Sequence, residues 1–120
     1  MSDCIFCKIV AGTIPCRKIY EDDYVLAFHD INPAAPVHFL VVPKMHVASL
    51  ADCVAEHHAG LLARVMLAVA KVARDIGLEN GYRTIINTGE DGGQTVFHLH
   101  AHGLGGGKPR PLGDALPAAN

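Results

Sequence analysis

The stretch Phe97-His98-Leu99-His100-Ala101-His102 alternates apolar residues with histidines. Side chains on a β-strand point to opposite faces in turn, so a strand here places the three imidazoles on one face and the apolar side chains on the other. An imidazole on a packed sheet face needs a hydrogen-bond partner or a ligand, because burial without one is costly. The alternation therefore predicts a strand over Thr95–His102 whose histidine face has a chemical task.

Three interpretations of this histidine face compete. In the first, the histidines are hydrogen-bonded within the protein and do no chemistry. In the second, all three bind one metal ion, but the backbones of His98 and His102 would lie about 13 Å apart, near the limit that two imidazoles can bridge with bonds of about 2 Å. In the third, one imidazole is a nucleophile: a carbonyl holds one ring nitrogen, and the other attacks phosphorus. Water would later break the phosphorus–nitrogen bond, and the flanking histidines would donate protons.

The loop before this strand favours phosphorus as the target. Gly92-Gly93-Gln94-Thr95 offers backbone N–H groups, an amide and a hydroxyl beside the histidines. Glycines allow the backbone to approach an oxyanion closely. The loop lacks the Gly-Lys-Ser/Thr sequence of a P-loop, so it predicts a phosphate contact of a different kind.

The elements predicted around the loop are mainly short strands with one long helix. The apolar residues of the long helix recur at three- and four-residue spacing, and Gly77 is placed to cap its end. This pattern predicts an α+β fold, an antiparallel sheet with a helix on one side, in a single domain over residues 1–120. Glycine and proline residues predict an extended C-terminal tail over 105–120. The predicted elements are a short helix Cys4–Ala11, strands Tyr24–Asp30, His38–Val42, Tyr82–Asn87 and Thr95–His102, the helix Ala55–Ile76, and a glycine-rich loop Gly89–Gly93.

Composition excludes several classes of protein. Half of the 120 residues are hydrophobic and 18% are charged, which excludes a disordered or highly charged chain and suggests a surface covered by another subunit. The net charge of −2 comes without a block of Lys and Arg, so nucleic acid and anionic membranes are not expected partners. No secretory signal or membrane-length apolar run is visible, which predicts a soluble, cytoplasmic protein. In that compartment cysteines are metal ligands, redox groups or core residues more often than disulfides.

At this point a family resemblance can be named. The run from Gly93 to Leu104, GQTVFHLHAHGL, resembles the signature of the histidine triad family of nucleotide hydrolases and transferases. Four more segments resemble its purine-nucleotide-binding branch, the nucleoside phosphoramidases: Cys4–Ile9, Ala27–Ile31, His38–Lys44 and Gly81–Arg83. The resemblance implies a half-barrel of antiparallel strands with a long helix, and homodimers whose sheets join. It also implies hydrolysis of purine nucleoside 5′-monophosphoramidates or acyl-adenylates at the α-phosphorus through a covalent nucleotidyl-histidine.

The resemblance also implies roles for individual residues. His100 corresponds to the nucleophile, His102 to a contact with the phosphate or leaving group, His38 to a supporting active-site histidine, and Thr95 to a hydroxyl that assists the leaving group. Each apolar residue assigned to the base pocket has ordinary core packing as its alternative. The implied nucleotide contacts are Asn87 and Gln94 to phosphate, Asp30 to the ribose hydroxyls, and Ile5, Phe6, Ile9, Phe28, His29, Ile31 and Leu40 to the base.

Some relatives that carry the Cys4-x-x-Cys7 pair bind zinc with two histidines, which correspond here to His46 and His98. Two cysteines and two histidines make a closed tetrahedral site of the structural kind. The resemblance thus implies a structural zinc that helps to orient His100, and no catalytic metal is required. The alternative is a pair of small buried cysteines. For Cys16 and Cys53 we expect packing roles, and for His57 and His58 no role.

The chain departs from the family pattern in three places. Gly103 replaces an apolar residue after the third histidine, Ala101 is smaller than usual, and the C-terminal tryptophan of some relatives is absent. We expect altered packing rather than lost chemistry from the first two. Leaving-group preference does not carry over, so two alternatives stay open: a dinucleoside polyphosphate hydrolase, and a nucleotide-binding or interaction module with incidental turnover.

Overall fold

The computed structural model describes residues 3–107 and contains one five-stranded antiparallel sheet with two α-helices. The strand order is β1-β2-β3-β5-β4, so β1 and β4 form the edges. This architecture confirms the predicted α+β class, with one long helix and a short N-terminal helix. The elements are α1 (Ile5–Val10), β1 (Lys18–Glu21), β2 (Val25–His29), β3 (Val37–Pro43), a 3₁₀ turn (Leu50–Asp52), α2 (Ala55–Asp75), β4 (Tyr82–Ile85) and β5 (Ala101–Gly105).

The two faces of the sheet bury different side chains. On β3, Phe39 and Val41 belong to a cluster packed against α2, whereas Leu40 and Val42 belong to a second cluster that includes Phe6 of α1. Because strand side chains alternate, His38 lies on the same face as Leu40 and Val42. The helix α2 therefore supports the sheet from one side, and the face opposite α2 carries α1 and histidine side chains.

The long helix lies where periodicity predicts it, and its ends are capped. Gly77 has φ +85°, and two backbone bonds close the helix there: Gly77 N–H to the Arg74 carbonyl, and Leu78 N–H to the Ala73 carbonyl. At the other end, the Val54 N–H donates to Nδ1 of His58 at 2.9 Å, so His58 caps the helix although no role was expected for it. No helix among the described residues is long and apolar enough to cross a membrane.

The histidine strand is the element that differs most from its prediction. Regular pairing covers Ala101–Gly105, not Thr95–His102. The reason is that the preceding residues bond to the loop after β3 instead of to a neighbouring strand: the Leu99 N–H donates to the Val47 carbonyl at 2.8 Å. His98 and His100 thus lie in the irregular segment that precedes β5, and only His102 lies in the strand.

Smaller differences concern β1, β4 and the tail. β1 is absent from the prediction, because its two half-buried residues lie between two exposed charged residues and make no apolar run or alternation. β4 ends at Ile85 rather than at residue 87. The predicted tail starts too early, since Gly105 belongs to β5, and its residues 108–120 lie outside the described part of the chain.

Gly103 has a structural reason. It pairs with Phe39 across β3 and β5, and a Cβ at residue 103 would lie 2.2 Å from Cζ of the Phe39 ring. The ring therefore fills the space that the usual apolar side chain would take. The departure from the family pattern changes the packing toward α2, on the face opposite His102.

Candidate active site and metal centre

Two cysteines and two histidines from three separate segments meet at the start of α1. Sγ of Cys4 lies 3.3 Å from Nδ1 of His98, and Sγ of Cys7 lies 3.5 Å from the same nitrogen. Nδ1 of His46 lies 3.4 Å from Sγ of Cys7 and 3.2 Å from Nδ1 of His98. These four ligand atoms all lie within 4.8 Å of one another, so the structure brings together the four residues predicted as a zinc site.

The spacing of these atoms fits a tetrahedral zinc ion. With Zn–N bonds of about 2.05 Å and Zn–S bonds of about 2.3 Å, a tetrahedron has edges of about 3.3 Å between nitrogens and about 3.6 Å between sulfur and nitrogen. The observed separations are 3.2 Å and 3.3–3.5 Å. The donor set of two thiols and two imidazoles is also the one that zinc prefers.

Local structure explains why these ligands converge. Cys4 is the N-cap of α1, and its sulfur accepts the Cys7 N–H at 3.3 Å, which holds both sulfurs at one end of the helix. Nε2 of His98 lies 2.7 Å from the Pro43 carbonyl, which can only accept, so Nε2 carries the proton and Nδ1 presents its lone pair to the cluster. Burial raises the pKa of the Cys7 thiol, and a bound cation would oppose this effect by favouring the thiolate.

His100 is oriented by the same segment. Its Nδ1 lies 2.7 Å from the His98 carbonyl, so Nδ1 is the protonated nitrogen and Nε2 carries the lone pair. The ring of Phe6 meets the His100 ring edge-on with centroids 5.0 Å apart, and the His102 ring lies at the same centroid distance. A residue of the Cys/His cluster thus supplies the carbonyl that leaves the lone pair of His100 on Nε2.

His38, His102 and Asp30 form a second buried group. Nε2 of His38 lies 2.9 Å from Nδ1 of His102 and 3.4 Å from Oδ2 of Asp30. Nδ1 of His38 accepts the N–H of Ala34 at 2.9 Å, and Oδ1 of Asp30 accepts the N–H of Asn32 at 2.8 Å. The three side chains converge because β2 ends beside Asp30 while His38 and His102 lie on the paired strands β3 and β5.

Burial keeps these imidazoles neutral. The pKa of His102 is lowered to about 3, chiefly by desolvation and to a smaller extent by His100 and His38 as potential cations. Desolvation also lowers the pKa of His38, although the Asp30 carboxylate acts in the opposite direction. The pKa of His98 is lowered chiefly by desolvation as well. At neutral pH each of these three histidines therefore has one protonated nitrogen and one lone pair.

The Gln94 side chain, predicted to contact phosphate, makes three hydrogen bonds within the protein. Its Oε1 accepts the Gly89 N–H at 2.9 Å, and its Nε2 donates to the Ala48 carbonyl at 2.8 Å and to the Val96 carbonyl at 3.0 Å. The buried amide thus braces the glycine loop against the chain after β3, and both of its N–H groups are already used. A phosphate contact through this amide would break one of these bonds.

The glycine loop differs from the oxyanion-binding loop predicted for it, because backbone N–H groups that were expected to face an oxyanion bond within the loop. The N–H groups of Gly92 and Gln94 donate to the Gly89 carbonyl, and that of Gly93 donates to the Glu90 carbonyl. The loop is therefore a tight turn closed on itself. Gly92 is required there, since a Cβ would lie 2.3 Å from the Thr88 carbonyl oxygen.

Two buried donors are without partners among residues 3–107: Nδ2 of Asn87 and Nε2 of His102. The other ring nitrogen of His102, Nδ1, lies 2.9 Å from Nε2 of His38. A buried N–H without an acceptor is costly and points to an absent acceptor such as an oxyanion. The hydroxyl of Thr95 lies on an exposed residue, where a substrate can reach it.

The residues predicted to bind the base divide by exposure. Phe6, Phe28 and Leu40 are at most 4% exposed and pack in the second hydrophobic cluster. Ile9 is half-buried at the edge of that cluster, and His29 is also half-buried. Ile5 and Ile31 are 45% and 86% exposed. Only the last four offer surface to a ligand, with Ile31 directly after Asp30.

Sequence patterns miss the backbone groups of the site. The Pro43 and His98 carbonyls and the Ala34 N–H decide which ring nitrogens are protonated. Every residue has such groups, so no residue type signals them. The edge contact of Phe6 with His100 was missed as well, because residues on α1 and before β5 meet only in the folded chain.

Comparisons with known proteins agree on one family. A model described as the HIT domain matches residues 11–108. The protein HitA of Neisseria gonorrhoeae is 52% identical over 105 residues, which cover 88% of this chain and 97% of HitA.

Solved structures agree with this match. A histidine triad protein from Clostridium difficile has 48% identity and a TM-score of 0.89, covering 92% of this chain and 96% of that chain. A HIT family hydrolase from Legionella pneumophila Philadelphia 1 has 44% identity and a TM-score of 0.86, covering 88% and 95%. A zinc-bound histidine triad family protein from Mycobacterium smegmatis has 40% identity and a TM-score of 0.72, covering 94% and 78%.

Proposed function

The chain belongs to the histidine triad family, and from this premise we propose that it is a hydrolase of purine nucleotides. Its substrates are nucleoside 5′-monophosphoramidates or acyl-adenylates, cleaved at the α-phosphorus. The single observation that carries the proposal is the bond from His100 Nδ1–H to the His98 carbonyl, which leaves Nε2 as a preoriented nucleophile. The hydrolase named among the similar structures supports the reaction class.

The first step forms a bond between Nε2 of His100 and the α-phosphorus and breaks the bond to the leaving amine or carboxylate. Negative charge on the phosphoryl oxygens meets the two unpartnered donors, Nε2–H of His102 and Nδ2 of Asn87. The Thr95 hydroxyl is exposed and is the candidate to relay a proton to a leaving amine, taking a proton from solvent water in return. In the second step water attacks phosphorus and releases one proton to solvent, the phosphorus–nitrogen bond breaks, His100 regains its Nε2 lone pair, and nucleoside monophosphate leaves.

The charge of the donors favours a substrate with a single phosphate. The two unpartnered donors are the neutral imidazole of His102, whose ring neighbours His100, and the amide of Asn87, and both suit the one negative charge of a phosphoramidate. A polyphosphate chain carries several charges and is usually bound by Lys, Arg or a metal ion. Several cations are engaged elsewhere: Lys18 and Lys44 with Glu21, Lys71 with Asp75, and Arg64 over the Tyr24 ring.

We place the nucleoside beside the end of β2. Asp30 is a buried carboxylate that can accept from ribose hydroxyls, and Ile31 beside it exposes an apolar surface for the base. His29 and Ile9 are half-buried and can extend this surface. Phe6, Phe28 and Leu40 form its packed floor.

We further propose that Cys4, Cys7, His46 and His98 hold a structural zinc ion. The tetrahedral spacing of their donor atoms supports this, as does the zinc-bound relative from Mycobacterium smegmatis. Zinc would supply a rigid link between its four ligands. A fixed His98 would in turn fix the orientation of the His100 ring, because the His98 carbonyl accepts from His100 Nδ1.

A homodimer would cover the exposed apolar residues and the free sheet edge. β4 is an edge strand, and Met66 and Leu67 of α2 are 44% and 70% exposed. Joining two sheets at β4 would satisfy the unpaired backbone groups of that edge. Light scattering should give twice the chain mass, and a monomer at micromolar concentration would contradict this part of the proposal.

The reaction is tested by incubating the protein with adenosine 5′-monophosphoramidate at neutral pH. We expect release of adenylate, and intact-protein mass after a rapid denaturing quench should show a nucleotidyl adduct. His100→Ala should lose both, while the matched control His57→Ala, at an exposed residue of α2, should behave as the wild type. Wild-type turnover by His100→Ala would overturn the assignment of the nucleophile.

The same assay separates the alternatives. We expect kcat/KM for the phosphoramidate to exceed that for a diadenosine polyphosphate by at least about tenfold, which corresponds to about 1.4 kcal/mol of transition-state stabilisation. The reverse order would indicate a polyphosphate hydrolase. Tight adenylate binding with negligible turnover of every substrate would indicate a binding module.

Zinc is tested by metal analysis of protein purified without added metal. We expect about one equivalent per chain, which Cys4→Ser should lose. Cys53→Ser is the matched control, because this half-buried cysteine lies outside the cluster and should leave the metal content unchanged. A metal-free wild type of normal stability would show that the four residues are only packed together.

A further inference from the structure

We propose that the backbone N–H of Ala34 acts through His38 to place the proton of His102 on Nε2, so that His38 is a positioning residue for that donor. This inference rests on the proposed function for its catalytic meaning. The arrangement of protons itself is a separate, measurable property. It concerns two hydrogen bonds in series and the buried N–H at their end.

The direction of the series is decided at its first bond. The Ala34 N–H lies 2.9 Å from Nδ1 of His38, and a backbone N–H can only donate. Nδ1 of His38 must therefore carry the lone pair, and its Nε2 must carry the proton. A backbone donor makes this choice without regard to the side chain of residue 34, which is why no sequence pattern announces it.

The second hydrogen bond then determines the tautomer of His102. Nε2–H of His38 lies 2.9 Å from Nδ1 of His102, which must accept. Because burial lowers the pKa of both imidazoles, each is neutral and has a single N–H to place. The proton of His102 is thereby assigned to Nε2, the nitrogen that is buried and without a partner among the described residues.

Asp30 reinforces the same arrangement. Its Oδ2 lies 3.4 Å from Nε2 of His38, where a carboxylate favours an N–H over a lone pair. The opposite tautomer of His38 would set its Nδ1–H against the Ala34 N–H and its Nε2 lone pair against the carboxylate. Both contacts are repulsive, so the tautomer is held at two ends of the ring.

The catalytic consequence follows from the free end of the series. With the proton on Nε2, His102 donates to a phosphoryl oxygen or to the leaving group. With the proton on Nδ1, it would present a lone pair to that same negative charge. The series therefore decides whether His102 stabilises the transition state or repels it.

The experiment measures tautomers directly by long-range ¹H–¹⁵N spectra of protein labelled with ¹⁵N-histidine, without substrate. In the wild type we expect Nε2–H for both His38 and His102. His38→Leu should convert His102 to a mixture of tautomers and lower kcat at least tenfold, with a smaller change in KM. His38→Gln, whose amide N–H can donate to Nδ1 of His102, should restore the Nε2–H form and recover most of kcat.

The first bond has its own variant and control. Ala34→Pro removes the N–H and should let the proton of His38 redistribute between its nitrogens. Ala35→Pro removes an N–H that takes no part in the series and should leave both spectra and turnover as in the wild type. A His102 that keeps Nε2–H in His38→Leu, or carries Nδ1–H in the wild type, would overturn the proposal. Expected tautomers without turnover of any nucleotide would overturn the proposed function and leave the series established.

Discussion

The close contact between Gly103 and Phe39 supports a quantitative prediction about stability. The perturbation is Gly103→Ala, which adds one methyl group on the face of β5 toward α2. The added Cβ would lie 2.2, 2.4 and 2.7 Å from three atoms of the Phe39 ring, distances that real contacts do not reach. The ring cannot swing away freely, because it is fully buried in the cluster with α2.

The magnitude follows from this crowding. Overpacking a core costs 1–3 kcal/mol, and three ring contacts below 3 Å place Gly103→Ala near about 3 kcal/mol. In a domain of this size that cost lowers Tm by roughly 10–15 °C. Gly60→Ala is the matched control, because residue 60 lies within α2 with nothing within 4 Å of an added Cβ. It should raise the free energy of unfolding by up to about 1 kcal/mol.

The assay is urea unfolding followed by circular dichroism, in a double-mutant cycle with Phe39→Leu. The smaller side chain removes the ring atoms that the methyl group would meet, so Gly103→Ala should cost less than about 1 kcal/mol in that background. The coupling energy should be about 2 kcal/mol. An equal cost in both backgrounds, or a cost below about 0.5 kcal/mol in the wild type, would refute the reasoning.

Three further predictions use the same unfolding assay. The pKa of folded His102 is about 3, below its usual 6.5, so between these pH values the unfolded chain binds a proton that the folded chain does not. The free energy of unfolding should therefore fall as the pH drops below about 6.5, by up to about 1.4 kcal/mol per pH unit. His102→Gln should make this pH dependence shallower. Gln94→Leu leaves the Gly89 N–H and the Ala48 carbonyl without their side-chain partner, so it should lower the free energy of unfolding by about 2–4 kcal/mol. It should also slow turnover, because the glycine loop is held less firmly. Unchanged stability and turnover would contradict the role of Gln94 as a brace. His58→Leu removes the acceptor of the Val54 N–H at the start of α2 and should lower the free energy of unfolding by about 1 kcal/mol. An unchanged free energy of unfolding would show that water replaces this acceptor.

Periodicity predicts those parts of the fold whose signal is local. The apolar face of α2 and the glycine that caps its end are confirmed. A buried helix face requires apolar residues at three- and four-residue spacing, and a positive φ favours glycine, so both leave a local signal in the sequence. β2 and β3 are also found, since buried strands leave short apolar runs. β1 and the true start of β5 were not found, because their pairing depends on which segments lie beside them.

The sequence by itself determined the family, the α+β class and the residues that gather at the site. Histidine and cysteine are uncommon enough that their spacing carries a chemical meaning. Only the tertiary structure decided what each of them does there. It brings the N-cap Cys4 and Cys7 of α1 to His98 across 94 and 91 residues, and it gives the Gln94 amide hydrogen bonds to Gly89 and Ala48.

The protons of the histidines depend entirely on the folded chain. The Pro43, His98 and Ala34 backbone groups select the protonated nitrogens of His98, His100 and His38, and His38 selects that of His102. The physical reason is that a neutral imidazole can carry its proton on either ring nitrogen. The donor or acceptor that folding places beside the ring decides which nitrogen is protonated. Backbone groups are the same at every residue, so only their positions in space carry this information.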